Sequence, residues 1–464
     1  MAHLPKRLRS RPEHWALGAA LLCGGASAMA QEPAGLPALD RQVDEAFRQV
    51  LKAPASLDAG LQYARLLVAA GNYEGGVAAL ERLLLTTDPQ PAIRVELAVL
   101  YYRLGSYEMA ESLLRQALDD ARLASDQRAM AQTLLRDVSV RNQPSQLSGM
   151  LMVGVRRQSN PSARSEADQV YAAGKLTSLA DGLKPKSDTD VQLTARLDHR
   201  YDLGWQNEAT LVSSLVAQVT NYQSSSGRTL SANQEAPYNL AFAEFTTGLR
   251  FKPAAIALPG LRLRPYLILT ELAAQGHRYL NNRGLGVAAD YQVDEKTLAS
   301  ANYEYRHYHY VDRVDVPAAE QLGGPDHHLR LQLSREVMPG HLISGELGLR
   351  QRQTGRAYYD YHGEDLRVTY STSYASPFSG VAGGYWSHAL WLGAGQRKYG
   401  AADPDITASR TRKDTDWRVG ASLSLPIAGN WSALVQVEHV NTHSNLANYQ
   451  AKNTSLMGAL MYRF

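Results

Sequence analysis

Arg196, Asp198, Arg200, Glu244, Glu304, Arg306, Arg330, Glu346, Arg350, Arg352, Arg367, Arg418 and Glu438 share one property that could carry chemistry: each stands at an alternate position of a stretch whose intervening positions are largely apolar. Side chains of a strand point alternately to opposite faces, so charges spaced by two line one face together. With both signs interleaved, the face is either filled by mutually paired charges or forms a hydrated path that resists hydrophobic sticking. His307 and His309 flank Tyr308, and His327 and His328 open the next strand. A metal cluster at one end of the strands is one reading; an interfacial aromatic girdle with Tyr303 and Tyr305 is the other, and the favoured one. No G-x-S-x-G, H-E-x-x-H, Walker or EF-hand pattern occurs. Gly284-Leu285-Gly286 imitates a dinucleotide fingerprint but lies in an alternating stretch with no helix after it. No catalytic, cofactor-binding or metal-ligating residue is therefore expected.

The elements that must position these charges are strands. Past Gln143-Pro144-Ser145 the hydrophobic period is two, and fourteen strands are predicted at 147–158, 188–202, 206–221, 237–251, 261–274, 280–293, 297–311, 326–337, 341–354, 364–376, 380–399, 413–426, 430–443 and 452–464. Leu329, Leu331 and Leu333 alternate with Arg330, Gln332 and Ser334. A soluble sandwich would alternate too. Strand length favours a membrane barrel instead, because a tilted crossing needs about 9–11 residues and soluble strands average about 5–6. Connections are expected to alternate strictly in length, with tight turns at Leu203-Gly204-Trp205, Asp294-Glu295-Lys296, Met338-Pro339-Gly340, Ser376-Pro377-Phe378 and Ile427-Ala428-Gly429 on one rim and long polar loops on the other. The excess of 25 Tyr over 6 Phe suits interfacial girdles, and Tyr462 and Phe464 supply the terminal aromatic signal read by barrel assembly machinery. An even strand count returns the C-terminus to the side on which the barrel began.

The N-terminal part reads differently. Lys6, Arg7, Arg9 and Arg11 precede a short apolar run from Trp15 to Cys23, and Ala28-Met29-Ala30 before Gln31 is a small-x-small cleavage site. Residues 1–30 are thus expected to be an export signal, with Cys23 a poor lipidation site behind the bulky Leu22. Cys23 is the only cysteine, which excludes disulfide and thiolate chemistry from the mature chain. Residues 31–143 are expected to form a periplasmic helical domain of the tetratricopeptide type, and 144–464 the outer-membrane barrel. Ala64 and Ala98, Gly71 and Gly105, and Tyr73 and Tyr107 are each separated by 34 residues, and Ala110 provides a small residue for close helix approach. Segments 40–52 and 125–140 should cap the two repeats as extra helices. The fold class is mainly β, a 14-stranded antiparallel transmembrane barrel with an all-α tetratricopeptide-like domain before it. A net charge of +3 with no basic block argues against nucleic acid. The expected partners are outer-membrane lipid, the barrel assembly machinery and a protein client or periplasmic chaperone, the protein itself being a monomer.

Signal, short tetratricopeptide domain and fourteen-strand barrel together resemble the surface lipoprotein assembly modulators (Slam family) over nearly the whole mature chain. The local matches are Gly154 to Pro161, running into Ser159-Asn160-Pro161, and the tail residues Ser444, Asn445, Tyr449, Asn453, Thr454, Tyr462, Arg463 and Phe464. The resemblance implies translocation of protein clients, typically lipoproteins, from periplasm to cell surface in a Gram-negative bacterium, with the helices engaging client or chaperone and the barrel providing the route. Exopolysaccharide export porins are the alternative, since they also join tetratricopeptide helices to a barrel, with longer helical arrays. An outer-membrane enzyme ranks third. N-terminal sequencing of the protein recovered from outer membranes should read from Gln31; a chain still beginning at Met1 would remove the signal assignment.

Overall fold

The computed structural model describes residues 36–54, 56–86, 90–205, 207–231, 236–378 and 384–464. The expected signal, with Ala28, Ala30 and Gln31, lies outside them. The described chain forms two compact units, a helical one ending at Gln146 and a strand-built one from Leu147 to Phe464.

The helical unit contains α1 (Leu36–Lys52), α2 (Leu57–Ala69), α3 (Tyr73–Thr86), α4 (Pro91–Arg103), α5 (Tyr107–Asp119) and α6 (Ser125–Arg141). The pair α2–α3 recurs as α4–α5 with the 34-residue spacing of Leu57 to Pro91 and Tyr73 to Tyr107, so the repeat is structural. Gly71 and Gly105 adopt φ of +83° and +79° at the turns between the paired helices, a region in which glycine alone is at ease. Ala64, Ala98 and Ala110 are buried where the helices approach, and Tyr73 and Tyr107, partly buried, pack against that core. The flanking helices α1 and α6 complete the stack as expected. Glu111 of α5 ties α6 down, accepting from Arg115 at 2.5 Å, Asn142 at 2.8 Å and Ser139 at 3.3 Å. Arg115 and then Asn142 hold its carboxyl below the ordinary range. The folded value is the lower one, so this contribution is complete above the ordinary carboxylate range and is lost as pH falls through the folded value.

The second unit is a closed barrel of β1 (Ser145–Gln158), β4 (Asp188–Asp202), β5 (Thr210–Tyr222), β6 (Leu240–Arg250), β7 (Leu261–Ala274), β8 (His277–Asp294), β9 (Thr297–Tyr310), β10 (Gly324–Met338), β11 (His341–Arg352), β12 (Tyr361–Ala375), β13 (Tyr385–Tyr399), β14 (Lys413–Ala428), β15 (Trp431–Ser444) and β16 (Ala451–Arg463). Each strand pairs with its sequence neighbour, and β1 closes the ring against β16. A separate hairpin, β2 (Gln169–Ala172) with β3 (Lys175–Ser178), decorates the connection between β1 and β4. Leu151, Val153, Val155, Leu193, Leu197, Leu267, Leu269, Leu285, Val287, Leu331, Leu333, Leu347, Leu366, Val368, Leu390, Leu392, Val435, Val437, Leu456 and Leu460 are all exposed on the outer surface. An apolar belt on that scale is costly in water, at about 25 cal/mol per Å², and costs nothing in hydrocarbon. Among the described residues no helix is long and apolar enough to cross a membrane; the strands cross it.

Four expectations about connections need correction. The rim where β1 starts and β16 ends, here the terminal rim, carries a long connection between Arg250 and Leu261, in which Pro253 and Pro259 cannot donate to a ladder. The opposite, far rim carries a two-residue turn, Gln275-Gly276, with φ of +53° and +75°, the twist-matched hairpin geometry of a primed turn. Strict alternation of loop length is therefore wrong, and β8 begins at His277, not 280. Strand β13 begins at Tyr385, so Ser376-Pro377-Phe378 opens a longer connection whose residues 379–383 lie outside the described ones. Likewise β5 starts at Thr210, and Leu203-Gly204-Trp205 begins a connection that runs to Ala209. Replacing the fully buried Leu114 with alanine should destabilise the helical unit by about 2–5 kcal/mol. Loss of helical ellipticity at lower temperature, with the heat-resistant strand signal unmoved, checks it; a joint shift of both signals would mean the two units do not melt separately.

Candidate functional site

All the charges singled out in the sequence fall on the inner face of the barrel, where contacts between non-adjacent strands show how far side chains converge on the concave side. Arg306 on β9 reaches Glu244 on β6 at 2.6 Å and Glu304 on its own strand at 2.9 Å. Glu304 is the hub of this wall, also accepting from Arg330 at 2.8 Å and from the Tyr266 hydroxyl at 2.7 Å. Arg350 grips Asp326 with both Nε and Nη2, at 2.9 and 2.7 Å. Arg352 donates to the Tyr310 hydroxyl at 2.9 Å and lies over the Tyr308 ring at 4.6 Å. Arg196 pairs with Asp198 at 2.6 Å, and Arg200 follows on the same face of β4. Glu346 stands in register with Arg367 across β11 and β12, and Arg367 lies 5.4 Å above the Trp391 ring. Trp391 in turn donates to Glu438 at 2.9 Å, while Arg418 approaches Asp416 at 3.3 Å. Such half-buried pairs are costly to break from one side, about 3–5 kcal/mol when a charge is left stranded.

Sequence reasoning missed several members. Asp190, Asp326 and Asp414 are almost fully buried and hold Arg156, Arg350 and Arg412 respectively. Counting back by two from Arg196 through Thr194 and Gln192 reaches Asp190, so the alternation itself could have found it. Tyr266 and Trp391 carry no such signal, because an inward ring and an outward ring look alike in sequence. His307 and His309 are on the outer face beside Tyr303 and Tyr305, their rings 4.7 Å apart.

The seam between β1 and β16 runs in register from Met150 opposite Arg463 to Gln158 opposite Ser455. At the terminal rim Gly149 and Phe464 exchange both backbone hydrogen bonds, at 2.8 and 3.1 Å. A β-carbon on Gly149 would strike the Phe464 ring at 2.4 Å, so this glycine admits the ring that ends the barrel. Tyr462 stacks between Phe464 and Trp431, at 6.1 and 5.0 Å. Midway, Gly154 faces Ala459 with almost nothing between them. On the inner side Met152, Met457, Met461, Leu434 and Ala459 form a buried apolar cluster. At the far rim the seam ends in a polar latch. The Asn160 backbone N–H donates to Asn453 Oδ1 at 2.9 Å, Asn453 Nδ2 donates to Gln158 at 2.9 Å, and the Thr454 N–H donates to Ser159 Oγ at 2.8 Å. Next to it Asn445 bridges Thr411 and Lys413 at 2.8 and 2.7 Å, and Arg412 is held 3.3 Å from the Tyr449 ring and 4.4 Å from Tyr399. Ser159, Asn160, Asn453 and Thr454, from the two ends of the barrel sequence, thus meet at the seam, while Asn445 and Tyr449 hold Thr411 to Lys413 at the start of β14.

A closed antiparallel barrel with a lipid-facing apolar belt and an ion-paired interior defines an outer-membrane transport β-barrel. The model of the surface lipoprotein assembly modifier family matches residues 150–456, the barrel almost from end to end. The chain belongs to that family, and its work is the secretion of surface lipoproteins across the outer membrane. That decides between a protein client and a polysaccharide in favour of the former. No curated protein matches the chain. Among solved structures, a bacterial polysaccharide outer-membrane secretin is similar at 7% identity over 68% of this chain and 98% of its own, with a TM-score of 0.34. OccAB3 of Acinetobacter baumannii is similar at 8% identity over 68% of this chain and 99% of its own, also with a TM-score of 0.34. The type III secretion translocator chaperone SycD of Yersinia enterocolitica is similar at 12% identity over 22% of this chain and 73% of its own, with a TM-score of 0.21. Likenesses this distant say nothing about what the chain does.

The latch should contribute to closure. Asn453→Ala removes partners from Gln158 and the Asn160 N–H, each left-over buried group costing about 1–3 kcal/mol. The folded barrel should then convert to the unfolded band at lower temperature in a heat-modifiability assay, whereas an unchanged midpoint would show that the latch is not a closing element.

Proposed function

We propose that the helical unit lies in the periplasm, engages a lipoprotein client or its periplasmic chaperone, and hands the polypeptide to the barrel, which passes it outward with no chemical step of its own. The observation that carries this is the even, closed ring: β1 and β16 meet at the terminal rim, so the chain enters the barrel on the rim where β16 leaves it. On this reading residues 1–30 are removed on export, the helical domain occupies 31–143 and the barrel 144–464, inserted by the barrel assembly machinery as a monomer in outer-membrane lipid. The lumen charges Arg196, Arg200, Glu304, Arg330, Glu346, Arg350, Arg352 and Arg367 keep the bore hydrated without offering an adhesive apolar wall.

A translocator must be tight at rest and yield to its client. The β1–β16 seam is where the barrel yields. Cross-strand pairs are worth about 0.2–1 kcal/mol each, and the Gly154–Ala459 pair contributes least of all. The methionines behind it are unbranched and repack readily, so the seam is sealed by side chains that tolerate displacement. A β-carbon at position 154 would stand 3.0 Å from that of Ala459, about half an ångström short of disulfide geometry. The double variant Gly154→Cys/Ala459→Cys should therefore oxidise across the seam with a slight shift. Surface display of a co-expressed surface lipoprotein should be lost on oxidation and return on reduction. Equal display by oxidised and reduced barrels would sink the yielding seam, and undiminished display after deletion of residues 40–141 would sink the role given to the helices.

A further inference from the structure

Two places on the inner wall are built alike. Tyr266 on β7 is in register with Gly286 on β8, which is in register with Glu304 on β9. Trp391 on β13 is in register with Gly420 on β14, which is in register with Glu438 on β15. In each case the ring lies flat across the glycine: a β-carbon at Gly286 or Gly420 would come within 2.2 Å of ring atoms. Each ring then donates to the glutamate beyond, at 2.7 Å for Tyr266 and 2.9 Å for Trp391. A guanidinium covers each ring, Arg264 at 4.9 Å over Tyr266 and Arg367 at 5.4 Å over Trp391. Among the described residues, neither Nε has a hydrogen-bond partner and neither arginine is in an ion pair.

The surroundings differ. Arg367 faces Glu346 in register on β11 and has Glu438 nearby, with Arg418 as the opposing cation. Its charge is met by acids that no other cation holds. Arg264 is placed among Arg250, Asp198 and Asp290: Asp198 is paired with Arg196 at 2.6 Å, and Asp290, which accepts from the Ser300 hydroxyl at 2.6 Å, is not within ion-pair distance of Arg264 among the described residues. Glu304, behind the Tyr266 ring, is already shared by Arg306 and Arg330. Arg262, one inward position nearer the terminal rim, reaches only Glu208, at 3.8 Å. The other contacts of Arg264 are at the limit of hydrogen bonding, Thr246 Oγ1 at 3.4 Å and the Val212 carbonyl at 3.5 Å.

We infer that Arg264, held flat on Tyr266 and flanked by Arg250 and Arg262, is a binding site for the carboxylates of an acidic polypeptide segment in the bore. The Arg264 Nε is buried against the wall, but a stacked guanidinium is pre-oriented and its two Nη groups match a carboxylate bidentately, so a client carboxylate supplies the acceptor that the wall does not. The site rests on the barrel being the route of a protein client, and it gives that route a preference for acidic segments near its terminal-rim end. Arg367, on the same kind of platform but already faced by glutamates, is the internal control.

The test uses purified full-length protein in detergent micelles, titrated calorimetrically with hexaglutamate and, separately, hexalysine. Wild type and Arg367→Gln should bind hexaglutamate alike, Arg264→Gln about tenfold or more weakly, and hexalysine should not bind. Arg264→Lys keeps the charge without the flat fork and should fall between, which covers the case in which the glutamine variant fails to fold. No hexaglutamate binding by wild type, or equal weakening by the two glutamine variants, overturns the site. Lipoprotein display is not part of the measurement, so the site can fail while secretion stands, and secretion can fail while the site stands.

Discussion

Everything in the strand unit follows from one constraint: in hydrocarbon, each backbone N–H and C=O must find its partner within the protein. A sheet can meet that demand only by closing, and closure joins the first strand to the last. The exposed leucines and valines, the girdles of tyrosine, histidine and tryptophan, and the choice of glycine at Gly149 are all consequences of putting a closed ring in lipid. The helical unit is under no such demand. Its order comes from ordinary core packing around Leu83, Leu97, Leu114 and Ala98, all essentially buried, and from two glycines that let successive helices turn back on each other.

What was legible in the sequence was what depends on local period. The 34-residue repeat named Ala64, Gly71, Tyr73 and their counterparts, and alternation placed the thirteen charges named between Arg196 and Glu438 on one face. The strand count was right because each crossing is long enough to show its own period. What failed depends on partners remote in sequence or on turn chemistry without a strong signature. Gln275-Gly276 lacks the Asn or Asp that usually announces a two-residue turn, and the length of the connection after Arg250, although its place was read correctly, breaks an alternation expected of the rims. The inner cluster of Met152, Met457 and Met461 was invisible because it forms only when the two ends of the barrel meet. The same holds for Ser159, Asn160, Asn453 and Thr454, whose spacing along the chain gives no hint that they form one latch.

The interior shows how a barrel can hold large side chains without filling its bore. Tyr266 and Trp391 lie along the wall over glycines, and their polar tips end on glutamates two strands away. Bulk that would project into the path is laid sideways, and its hydrogen-bonding demand is met in the same plane. Charges are treated similarly, with Arg306 spanning three strands to Glu244 and so tying β6 to β9. Ion pairs along the wall stiffen it around the circumference, whereas the seam relies on pliable methionine packing and on hydrogen bonds at its two ends.

The partner of Gly149 is Phe464, just past β16, and this pairing of first strand with sixteenth sets an order of events during synthesis. The strand that emerges first from the ribosome must wait for the one that emerges last, across more sequence than separates any other paired strands. Every intermediate length therefore has two raw edges, and no partial barrel can mature ahead of the whole. A ribosome that stops before β16 leaves β1 without its partner and the ring open.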